Sequence, residues 1–448
     1  LRTSPWIAGL TSALTAGATT AITSKGQSLV PWPDSVRRAF PIVIGSISGA
    51  TTAAVSGAPR MRARHVTYAT AGLLVAGTAG YFFARKQLAS IASEGAQLDS
   101  ALVEAPVHPH VSGSADSLVD YPEIGREGAR FVHSVTTAGD SLAVGIDRTM
   151  DPIRAYVSVA NAQSIAARVD LALRELVRTE AFDREYLLIQ APAGSGYANS
   201  TPIDVLEILS GGNCASVAIS YGFLPSFLSL TKVELAGQTQ RALLDGIAEQ
   251  RLARERAGKS FPRLLLYGES LGAKVQQYAV PLGSVDLDRF GIDRALWVGT
   301  PGGKVSDAFH LLCSNDSITI DRPELIPEGA DFRVWFLEHD GDPVVRFRPE
   351  IAWSKPYWLA APPRGRNIPE AMAWLPWVTW ATVLVDTIFA TDVKPGDFQS
   401  LGHDYRADLG VVATRAFGFD PTPDQSHLLE VQLRRAEVAR AQRIEPLA

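Results

Sequence analysis

From residue 151 onward, short apolar runs alternate with longer amphipathic stretches, and this alternation constrains the fold more than any other feature. The runs "IRAYVSV" (153–159), "EYLLIQ" (185–190), "ASVAISY" (215–221), "RLLLYG" (263–268), "ALWVGTP" (295–301) and "RVWFLE" (333–338) read as strands. Between them, "AQSIAARVDLALRELVRT" (162–179) sets Ile165, Val169, Leu173 and Leu176 along one side of a helix. A short helix is expected around 202–209 and a long one over roughly 230–256. Strands separated by helices of this length are joined by crossovers, which demands a mostly parallel sheet with helices on both faces. The expected class is α/β.

The run at 263–268 enters Gly268-Glu269-Ser270-Leu271-Gly272 and leaves as a helix beginning at Leu271. A strand that reverses into a helix this sharply strains the residue at its apex. Side chains two positions to either side would collide, so Gly268 and Gly272 suit a nucleophile elbow that presents Ser270. The helix N-terminus then aims free N–H groups at developing oxyanion charge. G-x-S-x-G also arises by chance as a plain turn. The apolar strand before it and the helix after it favour the catalytic reading.

A serine hydroxyl needs a base, and the base an orienting acid, which along such a chain follow in the order Ser, acid, His. His339, His403 and His427 lie far enough beyond the elbow. His339 occupies the strand–loop junction expected to supply the acid, and His427 lies in an amphipathic terminal helix, so His403, in "SLGHDYRADLG", is the expected base. "FLEHDGDPVV" offers two acids, Asp340 and Asp342. Asp342 is preferred because Pro343-Val344-Val345 turns the chain away directly after it, with Asp340 the alternative. A structural Asx turn would account for either. The oxyanion donors are expected to be the N–H of Leu271 and one from "APAGSGYAN", where Gly194 and Gly196 permit close approach and Gly194 or Ser195 donates. Loss of one such donor typically lowers kcat by ~10²–10³.

The N-terminal third is different in kind. Residues 3–24, 39–59 and 66–84 contain no Asp, Glu, Lys or Arg, and each run is long enough to cross a ~30 Å hydrocarbon layer as a helix. They are rich in Ala, Gly and Thr, which lets membrane helices pack closely, and Trp6, Tyr81, Phe82 and Phe83 lie near their ends. A soluble Ala-rich hairpin would show a charged face at the 3.6-residue period, and none is present. The expected organisation is a transmembrane helical module over 1–86, a connector over 87–150 and a catalytic domain over 151–448. Basic residues flank the runs on both sides, so the positive-inside rule selects no orientation for this multi-pass membrane protein. The sequence begins at Leu1 rather than Met, which leaves room for residues ahead of it.

Composition narrows the partners. A net charge of −5 over 448 residues gives no electrostatic footprint for nucleic acid, and no nucleic-acid partner is expected. Cys214 and Cys313 are 99 residues apart, form no metal spacing, and read as buried thiols. His108 and His110 lack a third ligand nearby, so neither a metal nor an organic cofactor is expected. Sixty residues separate Asp342 from His403, and they hold Trp353, Trp358, Trp374, Trp377 and Trp380. This Trp-rich insertion (351–391) fits a lid or acyl groove as well as it fits a helix packed on the sheet or on the membrane module.

The segments "GSGYAN", "GGN", "YGFLPSFLSL", "YGESLGA", "LWVGTPG", "EHDGDPVVRFRPEIAW" and "GHDY" resemble a family of α/β-hydrolases of actinobacterial membrane proteins, in which a multi-span N-terminal region joins a serine hydrolase domain. The resemblance implies an α/β-hydrolase fold with Ser270, Asp342 and His403 as triad. One departure stands out: "TDVKPGDFQSLGHDY" offers no clean strand ahead of the base. The expected function is cleavage of carboxylic esters of lipid-like or apolar acyl substrates at a membrane. An acyltransferase with the same triad is one alternative and a catalytically inert scaffold of this fold another. A dehalogenase or epoxide hydrolase would need Asp where Ser270 stands. A transporter built by the N-terminus draws no support from runs without intramembrane charge.

Overall fold

Each expected strand forms, and a seventh joins them. In chain order they are β1 (Ile153–Val157), β2 (Tyr186–Ala191), β3 (Cys214–Ile219), β4 (Arg263–Glu269), β5 (Ile292–Val298), β6 (Ser317–Ile320) and β7 (Val334–Leu337). The helices are α1 (Gly125–His133), α2 (Ala138–Ala143), α3 (Ile165–Arg178), α4 (Ser200–Leu209), α5 (Val233–Arg256), α6 (Leu271–Ala279), α7 (Ser284–Phe290), α8 (Lys304–Leu312), α9 (Pro343–Arg346), α10 (Val378–Phe389), α11 (Arg406–Ala416) and α12 (Pro423–Ile444). The computed structural model describes residues 28–30, 37, 40, 95–223, 233–302, 304–360, 363–390 and 398–444. Two compact units divide the chain: Ser90–His339 with Val393–Ala448, and Leu1–Ala89 with Asp340–Asp392.

The larger unit holds the sheet, ordered β1-β3-β2-β4-β5-β7-β6 with every neighbouring pair parallel. Strands covered by helices on both faces need not alternate apolar with polar, and β1, β2, β3 and β7 are buried along their whole length. The sequence reading overlooked β6 because "SITI" is a four-residue edge strand with only Ile320 buried. It did not place α7 or α8 either. Ser164 caps α3 by accepting from the N–H of Ala167 at 3.1 Å. Cys214 and Cys313 are free and buried, and burial pushes their thiols up to about 12 and about 11. At those values neither is a nucleophile near neutrality.

Residues 95–150, read above as part of a connector, contribute to this same core through Val111, Tyr121, Ile124 and Phe131. They also cover the edge of the sheet. The N–H of Ser112 donates to the carbonyl of Arg154 at 3.0 Å, and the N–H of Arg154 to the carbonyl of His110 at 3.2 Å. An unpaired edge is a template for aggregation, so this contact protects β1.

Arg154, on β1, is fully buried. Its guanidinium donates to Glu207 at 2.6 and 3.0 Å, to Asp204 at 3.1 Å and to the Phe131 carbonyl at 3.0 Å. Arg440, on α12, closes the group by donating to Asp204 at 2.7 Å. Two carboxylates from α4 are thereby matched by two guanidiniums, and β1, α1, α4 and α12 are joined through one desolvated polar cluster. Such clusters add little net stability but are costly to break, because the surviving charge stays buried.

The smaller unit has its own core, in which Leu29, Ile351, Trp358, Leu359, Ile368, Met372 and Val383 pack together with Trp374 and Trp380 beside them. The N–H of Leu29 donates to Asp386, on α10, at 2.9 Å. Trp353 and Trp377 instead are 61% and 65% exposed. The tryptophans of the insertion thus divide between a packed core and an open face. Apart from Phe40, the three uncharged runs lie outside the described residues. Among the described residues no helix is long and apolar enough to cross a membrane.

Two stability measurements follow from the larger unit. Arg154→Met should lower the denaturant midpoint by the equivalent of about 3–5 kcal/mol, since it strands Asp204 and Glu207. A change below ~1 kcal/mol would mean that water reaches the cluster. The second concerns Glu430 on α12, whose carboxyl is pushed up to about 7 by burial, with Asp408 adding to the rise and Arg434 opposing it. Between an unfolded value near 4.5 and this folded one, the native state holds the extra proton. Stability therefore falls as pH rises through that window, by about 1–2 kcal/mol once solvent screening is allowed for. Glu430→Gln should flatten Tm against pH from 4.5 to 8. Identical slopes in the two proteins would remove Glu430 from the account.

Candidate active site

The elbow is built from the close approach of two strands and a helix. In register, Ala191 of β2 lies opposite Gly268 of β4, which lies opposite Trp297 of β5. A Cβ on Gly268 would sit 2.6 Å from the Ala273 nitrogen, and one on Gly272 would sit 2.1 Å from the Ala191 carbonyl oxygen. Neither position has room for a side chain. Ser270, at the apex, has φ 55° and ψ −125°, and its N–H donates to the carbonyl of Val298 at 2.8 Å. The left-handed φ of a non-glycine residue is strained and persists only where neighbours enforce it. Leu271 opens α6, so its N–H has no partner inside the helix.

Gln276 fastens α6 to the sheet. Its side-chain amide donates to the Ile189 carbonyl of β2 at 2.8 Å and accepts from Trp297 Nε1 of β5 at 2.8 Å. The loop after β2 leaves from Ala191 and folds back on itself, with the N–H of Ala193 donating to the Tyr197 carbonyl at 2.8 Å and that of Gly196 to the Ala193 carbonyl at 2.9 Å. Gly194 and Ser195 lie at the tip of this turn. Tyr156 Oη steadies the loop through the Gly196 carbonyl at 2.9 Å.

A link that sequence reasoning missed joins this loop to the elbow. Asn199 caps α4 by accepting from the N–H of Thr201 at 2.9 Å, while its Nδ2 donates to Glu269 Oε2 at 2.7 Å. The same oxygen accepts from Tyr267 Oη at 2.8 Å. Burial and the Glu269 carboxylate hold the Tyr267 phenol far above its ordinary range, so it stays a donor. The signal for the cap was present in Asn199-Ser200-Thr201-Pro202, a helix-start pattern. Nothing in the sequence points to its second partner.

His403 is buried, and a Cβ on Gly299 would lie 2.7 Å from His403 Cε1. Gly299 directly follows Val298, whose carbonyl holds the Ser270 N–H. The imidazole therefore rests at the carboxyl end of β5, beside the elbow. No strand precedes His403 among the described residues after β7, in line with the departure noted above. Its loop is fastened from behind by His339, which follows β7 and is fully buried. His339 Nε2 lies 2.9 Å from Asp408 Oδ2 and Nδ1 lies 3.4 Å from the Gly402 carbonyl. Its backbone N–H donates to Tyr405 Oη at 3.1 Å, and Ser400 Oγ donates to Asp408 at 2.7 Å. Tyr405 stacks on His339 at 4.0 Å between centroids and meets His403 edge-on at 5.6 Å. His427 is exposed on α12.

The two candidate acids belong to the smaller unit. Asp342 is fully buried and caps α9, with Oδ1 accepting from the N–H of Val344 at 2.8 Å. Asp340 Oδ1 accepts from Arg346 Nη2 at 2.9 Å, and the Asp340 carbonyl accepts from Arg346 Nε at 3.0 Å. Among the described residues no group of three or more metal-ligating side chains occurs.

Because the space above Gly299 is filled by His403 and Tyr405, Gly299→Ala should displace the imidazole. A misplacement near 1 Å lowers reactivity by ~10², which the labelling rate of Ser270 by a fluorophosphonate would report. An unchanged rate in the folded variant would place His403 outside the reaction.

Comparison with known proteins adds a family. A model described as Alpha/beta-hydrolase family matches residues 153–314 and 306–417, and one described as Alpha/beta-hydrolase family N-terminus matches residues 43–135. No curated protein and no solved structure matches the chain. The first match spans more than half of the sequence and takes in every strand, the elbow and both histidine-bearing loops; the chain belongs to the alpha/beta-hydrolase family.

Proposed function

We propose that this protein is a membrane-bound serine hydrolase that cleaves carboxylic esters of apolar acyl groups through an acyl-enzyme. One observation carries the reading: Ser270 holds a strained left-handed backbone at the head of α6, anchored to Val298, while the His403 ring rests on the very next residue, Gly299. Strain of this kind, held beside a buried imidazole, fits a nucleophile with its base.

In the proposed reaction His403 takes the Ser270 hydroxyl proton as the oxygen attacks the ester carbonyl. The N–H groups of Leu271 and of Gly194 or Ser195 receive the oxyanion. Collapse of the tetrahedral intermediate breaks the ester bond, and the leaving alcohol takes the proton from His403. Water, deprotonated by His403, then attacks the acyl-serine, releasing the carboxylic acid and returning a proton to Ser270. Asp342 is proposed as the acid that holds the imidazole tautomer. Its fully buried carboxylate and its place soon after β7 support it, whereas the Asp340 carboxylate is engaged by Arg346. The apolar character of the substrate and the membrane setting are supported by the uncharged N-terminal runs and by exposed Trp353, Tyr357, Trp377 and Ile388.

The test is fluorophosphonate labelling of the full chain, followed by turnover of an ester series of increasing acyl length. Wild type should label; Ser270→Ala and His403→Ala should not. Asp342→Asn should slow labelling by ~10⁴, and Asp340→Asn by less than tenfold. A folded wild-type protein that takes no label and cleaves no ester would leave the inert-scaffold reading standing. Ester formation exceeding free acid when an alcohol is added would convert the assignment to acyl transfer.

A further inference from the structure

A cavity of about 300 Å³ lies in the larger unit among α1, the start of α4 and the last turns of α12. Neither Ser270, Leu271 and His403 nor the Gly194–Ser195 turn lines it. Its size falls at the lower end of the ~300–1,000 Å³ typical of small-ligand sites. Leu102, Phe131, Ala441 and Ile444 supply apolar lining, and Glu127, Arg130, Arg406, Glu437, Arg440 and Arg443 supply charged lining.

The charges on that lining are unevenly matched. Arg130 pairs with Asp99 at 2.7 Å and with Glu127 at 3.0 Å. Arg406 pairs with Asp404 at 2.9 Å and also with Glu437. Arg440 pairs with Asp204 at 2.7 Å. Arg443 has no carboxylate within salt-bridge distance among the described residues. Its nearest polar contacts are the His133 carbonyl at 3.4 Å and His133 Nδ1 at 3.5 Å. Burial, and then Arg443 itself, lower the His133 pKa, so the imidazole does not add a competing cation near neutrality. The first turn of α4 borders the same space through Asn199, Ser200 and Thr201. Of these, the Thr201 N–H is already used by Asn199, and Ser200 opens the helix, so its N–H has no partner inside it.

We infer that this cavity binds a monoanionic amphiphile: a carboxylate held at Arg443, with an alkyl chain of medium length laid along Phe131, Leu102 and Ile444. A partly apolar pocket bordered by a guanidinium that no carboxylate among the described residues pairs suits a ligand with one charge and a hydrocarbon tail. A compact inorganic anion would leave the apolar walls unfilled. A neutral lipid would leave Arg443 unmatched. The inference does not rest on the role given to Ser270, since none of the residues that carry it belongs to the elbow.

Octanoate is the probe, titrated calorimetrically into the full chain in nanodiscs with empty nanodiscs as blank. Saturable binding should tighten about fourfold per methylene from butanoate to octanoate, as apolar burial predicts. Arg443→Gln should weaken it by at least ~10-fold, and because Arg443 is exposed on the last turn of α12 the variant should fold normally. Ala441→Trp should abolish binding by filling the cavity. Octanol, with the same chain and no charge, should bind at least ~10-fold more weakly than octanoate. The inference is overturned if octanol matches octanoate, or if both substitutions leave the octanoate affinity unchanged.

Discussion

The level register of β2, β4 and β5 is the constraint on which the rest of the site depends. Ala191, Gly268 and Trp297 lie side by side, so the three strands end together and release their loops at one edge. The turn carrying Gly194 and Ser195, the elbow carrying Ser270, and the Gly299 surface under His403 all begin within a few residues of that line. A slip of one residue in either pairing would turn the side chains of the shifted strand to the opposite face and offset its loop from the others. Parallel pairing also makes the arrangement possible, since only parallel neighbours bring consecutive carboxyl ends to one side, where ligands of open α/β sheets bind.

Register alone does not fix side chains, and three polar links, two buried and one part-buried, do that work. Glu269 joins the elbow to the loop after β2 through Asn199. Gln276 joins the elbow helix to β2 and β5. His339 joins the end of β7 to the loop of His403 through Asp408, Gly402 and Tyr405. Each link satisfies groups that would be expensive to bury unpaired, and each connects a segment bearing a candidate catalytic group to a strand or helix that cannot move independently. A reacting geometry held from several directions is what preorganised catalysis requires.

The backbone plan was largely legible in the sequence. Six strands, the elbow and its glycines follow from apolar runs and from the steric demand of a strand reversing into a helix at Ser270. The edge strand β6 escaped notice because a half-exposed "SITI" carries no pattern to read. The polar links escaped for a different reason: Glu269 and Asn199 are 70 positions apart, and so are His339 and Asp408 to within one residue. Periodicity reports on neighbours in sequence, so pairings over such separations leave no trace in a single chain. Arg154 illustrates the same limit. An arginine inside an apolar strand looks like an edge residue turned to solvent, yet it is fully buried because Asp204 and Glu207, one turn apart on α4, receive it. The candidate acids fall between the two cases: the chain order and Pro343-Val344-Val345 favoured Asp342 over Asp340, while the burial of Asp342 and the Arg346 partner of Asp340 could not be read from the sequence.

The strained apex at Ser270 has a consequence for how such a chain can change over time. A side chain at φ 55° raises the energy of the folded state, and glycine at the same position would relieve it. Replacement of the serine by glycine is therefore favoured by stability at the same step at which the hydroxyl is lost. Drift in the absence of selection runs downhill toward a well-folded protein without a nucleophile. Keeping a nucleophile at Ser270 would thus have to be selected for its chemistry, because stability alone favours glycine at this turn.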